Sequence, residues 1–446
     1  MRPIHLLTFA AAAVFFTSSF DIFLNLNVGP NVRIAQVFAI VLIVAALLTR
    51  RLGLAMDVPL GAPWLIAWWC MQLAFVPAAE FWQKSLAYCV WLALNIALSF
   101  ALVNLFARDW TRMQILLRLY LFSYVFVAAF GIVQFALPVA GGPALLVEQW
   151  WLPGSVPRVN GFSFEPSYFA TYLLLGLVCL GSLRRSGLAQ FGTRRWTLAY
   201  LLLIVAMILC SSRIGIFFVL LELAIAPIRW MWRVAKNPRL ILGFRVSILK
   251  TCAAAAVVAL GYVAASEAIG WFRDNPQTLQ ILVSGTGLMG TAAHSVNERE
   301  ERLNGTMLTI ANHPWMGQSL GGITESIAGS IGVKPMNFEE SKVFEGQSVF
   351  AEVVAASGWP GSIPFLCFLV VSIVSPLRLA GRAPPLHAAW LRALVVSLLF
   401  EWAILQFNQN ILRLYLWVHI AVLAAVDAAV RRQYGEPSGG PAGGYD

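Results

Sequence analysis

Apolar positions in this chain come in blocks, not stripes. Long hydrophobic runs cover residues 4–20, 33–49, 61–79, 85–106, 113–137, 168–183, 197–211, 214–229, 246–265, 349–375, 386–406 and 411–429, parted by connections rich in Arg, Gly and Pro. A helix packed on a soluble core repeats its apolar residues every third or fourth position and keeps a polar face. Here the runs are apolar all round. About 20 such residues cross about 30 Å of hydrocarbon, and a helix satisfies its own backbone there. The pattern predicts an all-α polytopic membrane protein with about twelve transmembrane helices. Pro and Gly near 349–361 predict a re-entrant piece. The first run reads as an uncleaved helix, since no small-x-small site precedes Asp21.

The expected organisation follows from the gaps. Transmembrane helices one to nine lie within 1–265, with a shorter outside loop at 138–167. A large outside loop covers 266–348, between helices nine and ten. The last three helices lie within 349–430, and 431–446 is a Gly/Pro/Ser-rich tail expected to be disordered. Within the large loop, Ser295–Ala311 reads as a helix, with Glu298 and Arg302 four apart and Leu303, Met307 and Ile310 forming an apolar stripe. No internal repeat is visible.

Composition agrees. Of 446 residues 59% are hydrophobic and 12% charged, half the charge of a typical soluble domain, about 25%. The net charge of +10 would suggest nucleic acid in a soluble protein, but its placement argues otherwise. With Met1 inside, the inner segments hold Arg2, Arg50, Arg51, Arg108, Arg112, Arg184, Arg185, Arg194, Arg195, Arg229, Arg233, Lys236, Arg239, Arg245, Lys250, Arg378, Arg382, Arg431 and Arg432. The outer segments hold fewer: Arg33, Lys84, Arg158, Arg213, Arg273, Arg299, Arg302, Lys334, Lys342 and Arg413. This bias places both termini in the cytoplasm and accounts for the charge without a nucleic-acid partner. The six cysteines fall in or beside apolar runs, without the spacing of a zinc or redox site.

Cations on the outer side run against the bias, so each is either a snorkelling anchor or a ligand. Arg158 opens the stretch Arg158-Val159-Asn160-Gly161-Phe162-Ser163-Phe164-Glu165-Pro166-Ser167-Tyr168. Pro166 suits a first helical turn, and Glu165 sits at the cap, where the helix dipole favours an anion. One reading is a capped helix in an aromatic belt with Trp150 and Trp151; the other is an acid that orients or deprotonates an acceptor hydroxyl. Arg213, in Ser211-Ser212-Arg213-Ile214-Gly215, occupies a tight outer turn and serves as an anchor or a phosphate ligand, for which its forked donors are suited. Arg299, Arg302 and His313 lie in the large loop, His313 within Asn312-His313-Pro314-Trp315-Met316-Gly317. Two acids fall inside spans, Glu222 and Glu401. Such residues are functional candidates, but with no basic partner at matching depth they read as packing or hydrogen-bonding groups.

These residues carry a resemblance. The order of R-x-x-G-F-x-x-E-P-S at Arg158–Ser167, Ser212-Arg213, Arg302 followed by Asn312–Gly317, and Gln347-Ser348 with Gly358 and Gly361 resembles the Wzy polysaccharide polymerase and O-antigen ligase superfamily over most of the chain. Gln347 stands where ligases carry His; it cannot act as a base, which favours the polymerase branch. The resemblance implies a periplasmic-facing glycosyltransferase of the bacterial inner membrane. It would move a glycan from undecaprenyl diphosphate to another lipid-linked repeat unit, without a metal or other cofactor. Arg213, Arg302 and Glu165 are the implied catalytic residues; Arg158, Tyr168, Arg299, His313 and Gln347 the implied substrate-binding ones. Arg213 and Arg302 would meet to stabilise the leaving diphosphate, with Arg158 and Glu165 positioning the acceptor. Implied partners are the lipid-linked donor and acceptor, membrane lipids, a chain-length regulator and a flippase. The alternatives are a ligase acting on lipid A core or protein, and, from another class, a glycan transporter, which would call for repeats and a polar midplane site.

Overall fold

The structure, a computed structural model, describes residues 3–23, 25–27, 31–49, 56–152, 154–236, 293–341, 344–346, 348–407 and 411–434. The expected ninth span, 246–265, and the tail from 435 lie outside the described residues.

The described chain is almost wholly helical. Eight helices precede residue 237: α1 Pro3–Thr17, α2 Ile34–Leu48, α3 Ala62–Phe75, α4 Trp82–Phe106, α5 Trp110–Val139, α6 Pro166–Arg185, α7 Arg194–Leu209 and α8 Arg213–Lys236. Three helices fold the described part of the large loop: α9 Ala293–Asn312, α10 Ser319–Ser330 and α11 Phe338–Ser341. The chain closes with α12 Val349–Ala380, α13 Pro385–Ile404 and α14 Leu414–Tyr434. Among the described residues, α4, α5, α6, α12, α13 and α14 are long and apolar enough to cross a membrane, and α1, α2 and α3 are shorter apolar helices. The apolar helices fit a multi-pass membrane protein. The spans expected at 197–211 and 214–229 fall on α7 and α8.

Helices α6 and α14 form the centre. In each, 89% of the apolar window is buried, against 39% in α12 at the rim. A helix apolar on every face is stable in the middle of a bundle, where every face meets protein. Small residues set the close approaches. Gly176 leaves room for Tyr124, whose Cγ lies 2.5 Å from where a Cβ would stand. Ser397 Oγ donates to the Leu175 carbonyl at 2.6 Å, locking α13 to α6. Apolar side chains such as Val44, Phe126, Val205, Leu220 and Val370 remain exposed on the outer surfaces of the helices, as lipid contact requires.

The bundle has two chemically distinct ends. One is rich in arginine: Arg432 pairs with Asp57, Arg431 with Asp427 and Ser375. Trp110 stacks on His387 there, and His387 on Tyr434. The other end gathers the start of α6, the turn between α7 and α8, the start of α12 and the loop before α14. The Val159 amide donates to Leu209 O at 3.4 Å, Asp21 to Phe162 O at 2.9 Å, and Val349 to Leu405 O at 3.1 Å.

The stretch 349–361, where a re-entrant piece is expected, forms the start of α12, helical on both sides of a kink at Gly358 (φ 67°, ψ 173°). The break accommodates the turn after α9, since a Cβ on Gly358 would lie 2.7 Å from the Trp315 carbonyl oxygen. The Gly-rich stretch after α9 packs closely on α12 and α4. A Cβ at Gly317 would stand 2.0 Å from Ala356 O, and one at Gly321 2.5 Å from Ser85 Cα. Gln72 pins the start of α10, its Oε1 accepting from Leu320 N at 3.0 Å and its carbonyl from Ser319 Oγ at 3.2 Å. The helix expected at Ser295–Ala311 is α9, but of its predicted apolar stripe only Ile310 is buried. Leu303 and Met307 are exposed, and Gly305, Thr306, Thr309 and Ile310 pack inward. Thr306 and Thr309 can be buried because each hydroxyl donates to a carbonyl one turn back, at 2.8 and 2.9 Å.

Candidate functional site

The loop before α6 is built around one amide. Gln134 of α5 is fully buried, and its Nε2 donates to the carbonyls of Leu145, Leu146 and Gly161 at 2.8, 3.0 and 3.2 Å. Its Oε1 accepts from the amides of Asn160 and Gly161 at 3.1 and 2.9 Å. Asn160 continues the network, donating to Leu146 O and Ser163 O at 3.0 and 2.7 Å. Gly161 takes φ +57°, and a Cβ there would meet Phe169 at 2.6 Å. Phe162 stacks between Phe20 and Phe130, each centroid 4.1 Å away. Most of the Arg158–Ser167 motif thus holds the loop.

What the loop presents is Arg158 and Glu165. Arg158 is half-buried at the end of a hairpin formed by β-strands Gln149–Leu152 and Val156–Arg158. Its Nη1 donates to Gln149 Oε1 at 2.8 Å, and its Nε is buried without a hydrogen-bond partner among the described residues. Burial depresses this guanidinium from its ordinary value; Glu165 opposes the shift and Arg213 adds to it. The three side chains therefore share one electrostatic neighbourhood. Glu165 occupies the cap of α6 with Pro166 next, as expected, but its side chain does not cap the helix. It is exposed and accepts from Ser167 Oγ at 3.0 Å. Arg213 is exposed at the start of α8. It follows Ser211, held at φ 51°, and Ser212, whose Oγ accepts from Gly215 N at 3.3 Å.

One turn into α6, Tyr168 carries a second group that sequence reasoning passed over. The Arg413 guanidinium lies 3.8 Å from the centroid of the Tyr168 ring. Arg413 Nη1 donates to Asp21 Oδ2 at 2.7 Å, while Asp21 Oδ1 meets Arg33 Nη1 at 2.9 Å. Arg413 is 4% exposed and its Nε is buried without a partner among the described residues. Burial, the largest single influence, works against its charge, but Asp21 together with Tyr168, Tyr415 and Glu345 holds the pKa above the usual arginine value. Arg33, where burial wins, is lowered. Both were visible as outer cations; the missing signal was Asp21, whose partner lies 392 positions away.

Beside this cluster lies a small pocket of about 20 Å³, lined by Tyr88, Leu320, Ile323, Thr324, Glu345, Glu352, Ile411 and Leu412. Tyr88 OH donates to Glu345 Oε1 at 3.5 Å. Next to it Lys84, buried, donates to Thr324 and to Ser341 Oγ at 2.8 Å and stands 3.5 Å from Glu325. This lysine ties α4 to α10 and α11.

The other expected residues are placed differently. Arg302 is half-buried on α9, and His313 is exposed where α9 ends. Helix α9 packs on α10 and α12, whereas α8 packs on α6, α7 and α13. The expected meeting of Arg213 and Arg302 is thus not among the contacts the structure describes. The backbone of Arg299 belongs to α9, but its side chain, like all of Gln347, lies outside the described residues. The Asn312–Gly317 motif docks on the α12 break, with Trp359 N donating to Pro314 O at 2.8 Å and Gln318 N to Ala355 O at 3.1 Å. Glu222 does have a basic partner: Arg185 clasps both its oxygens, with Nη2 to Oε2 at 3.1 Å. The arginine reaches up from the end of α6, so depth along the sequence misjudged the pair. Glu401 is buried, and neither oxygen has a hydrogen-bond partner among the described residues.

Compared with protein-family models, the chain matches none, and a search of curated proteins likewise finds no match.

Proposed function

We propose that this protein is a polysaccharide polymerase of the bacterial inner membrane. It transfers a glycan from undecaprenyl diphosphate to a lipid-linked repeat unit at the periplasmic face, with about twelve crossings and both termini in the cytoplasm. One observation carries the reading: at the end of the bundle opposite the arginine-rich one, Arg158 and Arg213 share the field of Glu165, and three residues further on Arg413, joined through Asp21 to Arg33, lies over the Tyr168 ring. Arginines outnumber acids in that group, which suits a diphosphate and gives no advantage to a neutral ligand.

The chemistry asks for little more. The bond from the anomeric carbon to the diphosphate oxygen breaks, charge grows on that oxygen, and guanidiniums fixed beforehand stabilise it. Arg213 and Arg158, on the open side of the cluster, take this role. Arg413 and Arg33 are held by Asp21 and keep the local potential positive. Tyr168 supplies the ring that fixes Arg413, and Glu165 a carboxylate for sugar hydroxyls. The isoprenoid tail enters sideways between exposed apolar helix faces, which accounts for a site at bilayer height.

The test is glycan chain length in a strain deleted for this protein and complemented with wild type, Arg213→Ala or Arg302→Ala, at matched membrane abundance. Long polymer with wild type and single repeat units with Arg213→Ala are expected. Loss of polymer with Arg302→Ala as well would bring α9 onto the same diphosphate. If the deletion strain still makes long polymer, the proposed activity is wrong.

A further inference from the structure

Resting on that reading, we infer that the small pocket beside Arg413 receives the reacting hydroxyl of the acceptor sugar and that Glu352 is the catalytic base that takes its proton.

Glu352 lies in the first turn of α12 and is 5% exposed. It lines the pocket, and no hydrogen bond or ion pair engages its carboxylate among the described residues. A carboxylate buried to this degree loses its water and is retained where something else supplies a hydrogen. Among the described residues its surroundings supply none. Gly346 leaves the approach open, since a Cβ there would lie 2.8 Å from Glu352 Oε1. The wall opposite offers Tyr88 from α4, already engaged with Glu345. A sugar hydroxyl reaching the pocket would be the missing donor.

The placement suits transfer. Leu412 lines the pocket and the next residue is Arg413; Glu345, also on the wall, is close enough to raise the Arg413 pKa. The acid side of the pocket therefore abuts the cationic cluster. An acceptor held against Glu352 lies next to a diphosphate held by the arginines. In the step, the acceptor O–H proton passes to Glu352 and the acceptor oxygen bonds to the anomeric carbon. The bond from that carbon to the diphosphate oxygen breaks, and its electron pair leaves with the lipid diphosphate. Gln347 cannot serve as a base, and Glu165 is exposed and does not line the pocket, so Glu352 fills a place those residues leave open. The charged and titratable groups facing it are Tyr88 from α4, Glu345 from the preceding segment, the Glu325–Lys84 pair of α10 and α4, and Arg413.

The experiment uses full-length protein in membranes of its own deletion strain, where the native lipid-linked repeat units are both donor and acceptor. Polymerisation rate is measured from pH 5 to 9 for wild type, Glu352→Gln and Glu352→Asp, about pH values at which carboxylates and neighbours titrate. The expected loss for Glu352→Gln is about a hundredfold or more, with the acid limb of the wild-type profile abolished; Glu352→Asp keeps that limb at a lower rate. A Glu352→Gln rate within about threefold of wild type, far less than a lost base costs, overturns the inference. So does an unchanged acid limb. If Glu352→Gln is scarce in the membrane, Leu412→Trp decides in its place, filling the pocket and leaving every charge. Persisting polymerisation by Leu412→Trp overturns the acceptor site, and its loss at normal abundance supports it. Failure of wild type itself to polymerise would count against the proposed function and is distinguishable from either result.

Discussion

Removing Asp21 tests the cationic cluster most directly. Its side chain is 3% exposed and serves two guanidiniums, Arg413 at 5% and Arg33 at 24%. Asp21→Asn keeps the shape and cancels the charge, leaving a buried Arg413 whose Nε already lacks a partner among the described residues. Breaking a buried pair from one side costs about 3–5 kcal/mol, because the remaining charge stays desolvated. Arg33 keeps partial contact with water and adds little. Over 446 residues an unfolding entropy of about 2.1 cal/mol/K per residue makes 1 kcal/mol worth about 1 °C, so a fall in midpoint of about 3–5 °C is expected. The assay is thermal denaturation of purified protein in lipid nanodiscs, extended to a double-mutant cycle with Arg413→Met. The double variant should recover part of the loss of Asp21→Asn, since it no longer buries an unpaired charge. Additive losses, or an Asp21→Asn midpoint equal to wild type, would refute the reasoning and return Arg413 to the role of a surface anchor.

Three further outcomes follow from the same contacts. Gly181→Ala should destabilise the bundle by about 1–3 kcal/mol, because its Cβ would stand 1.9 Å from Glu222 Oε1; adding Glu222→Ala should give less than the sum of the two losses in the same denaturation assay. Gln134→Leu leaves several buried backbone groups of the 145–161 loop unpaired, each costing about 1–3 kcal/mol, and limited proteolysis should then cut that loop while the helices survive. Arg213→Ala, removing an exposed side chain, should leave the midpoint within about 0.5 kcal/mol of wild type while abolishing polymer; a large stability change would make Arg213 structural.

The hydrophobic blocks by themselves determined the helices, and for a direct reason: hydrocarbon accepts only backbone that satisfies itself locally. The helix at Ser295–Ala311 and Pro166 at the start of α6 were legible on the same local grounds. Contacts set by distant residues were not. The sequence placed Arg33, Lys84 and Arg413 on the outer side without distinguishing them from anchors, because Asp21, Tyr168 and Thr324 meet them only after folding. It read Glu222 as unpartnered because nominal depth along a helix ignores how far an arginine side chain reaches. It took the Arg158–Ser167 and Asn312–Gly317 motifs as chemistry, whereas Asn160, Gly161, Gly317 and Gly358 are spent on close backbone approach. Glu352 passed unnoticed as one acid in the first turn of an apolar run. Only tertiary structure decided that it would be buried, unpaired and facing a pocket, since burial and pairing depend on which helix ends converge.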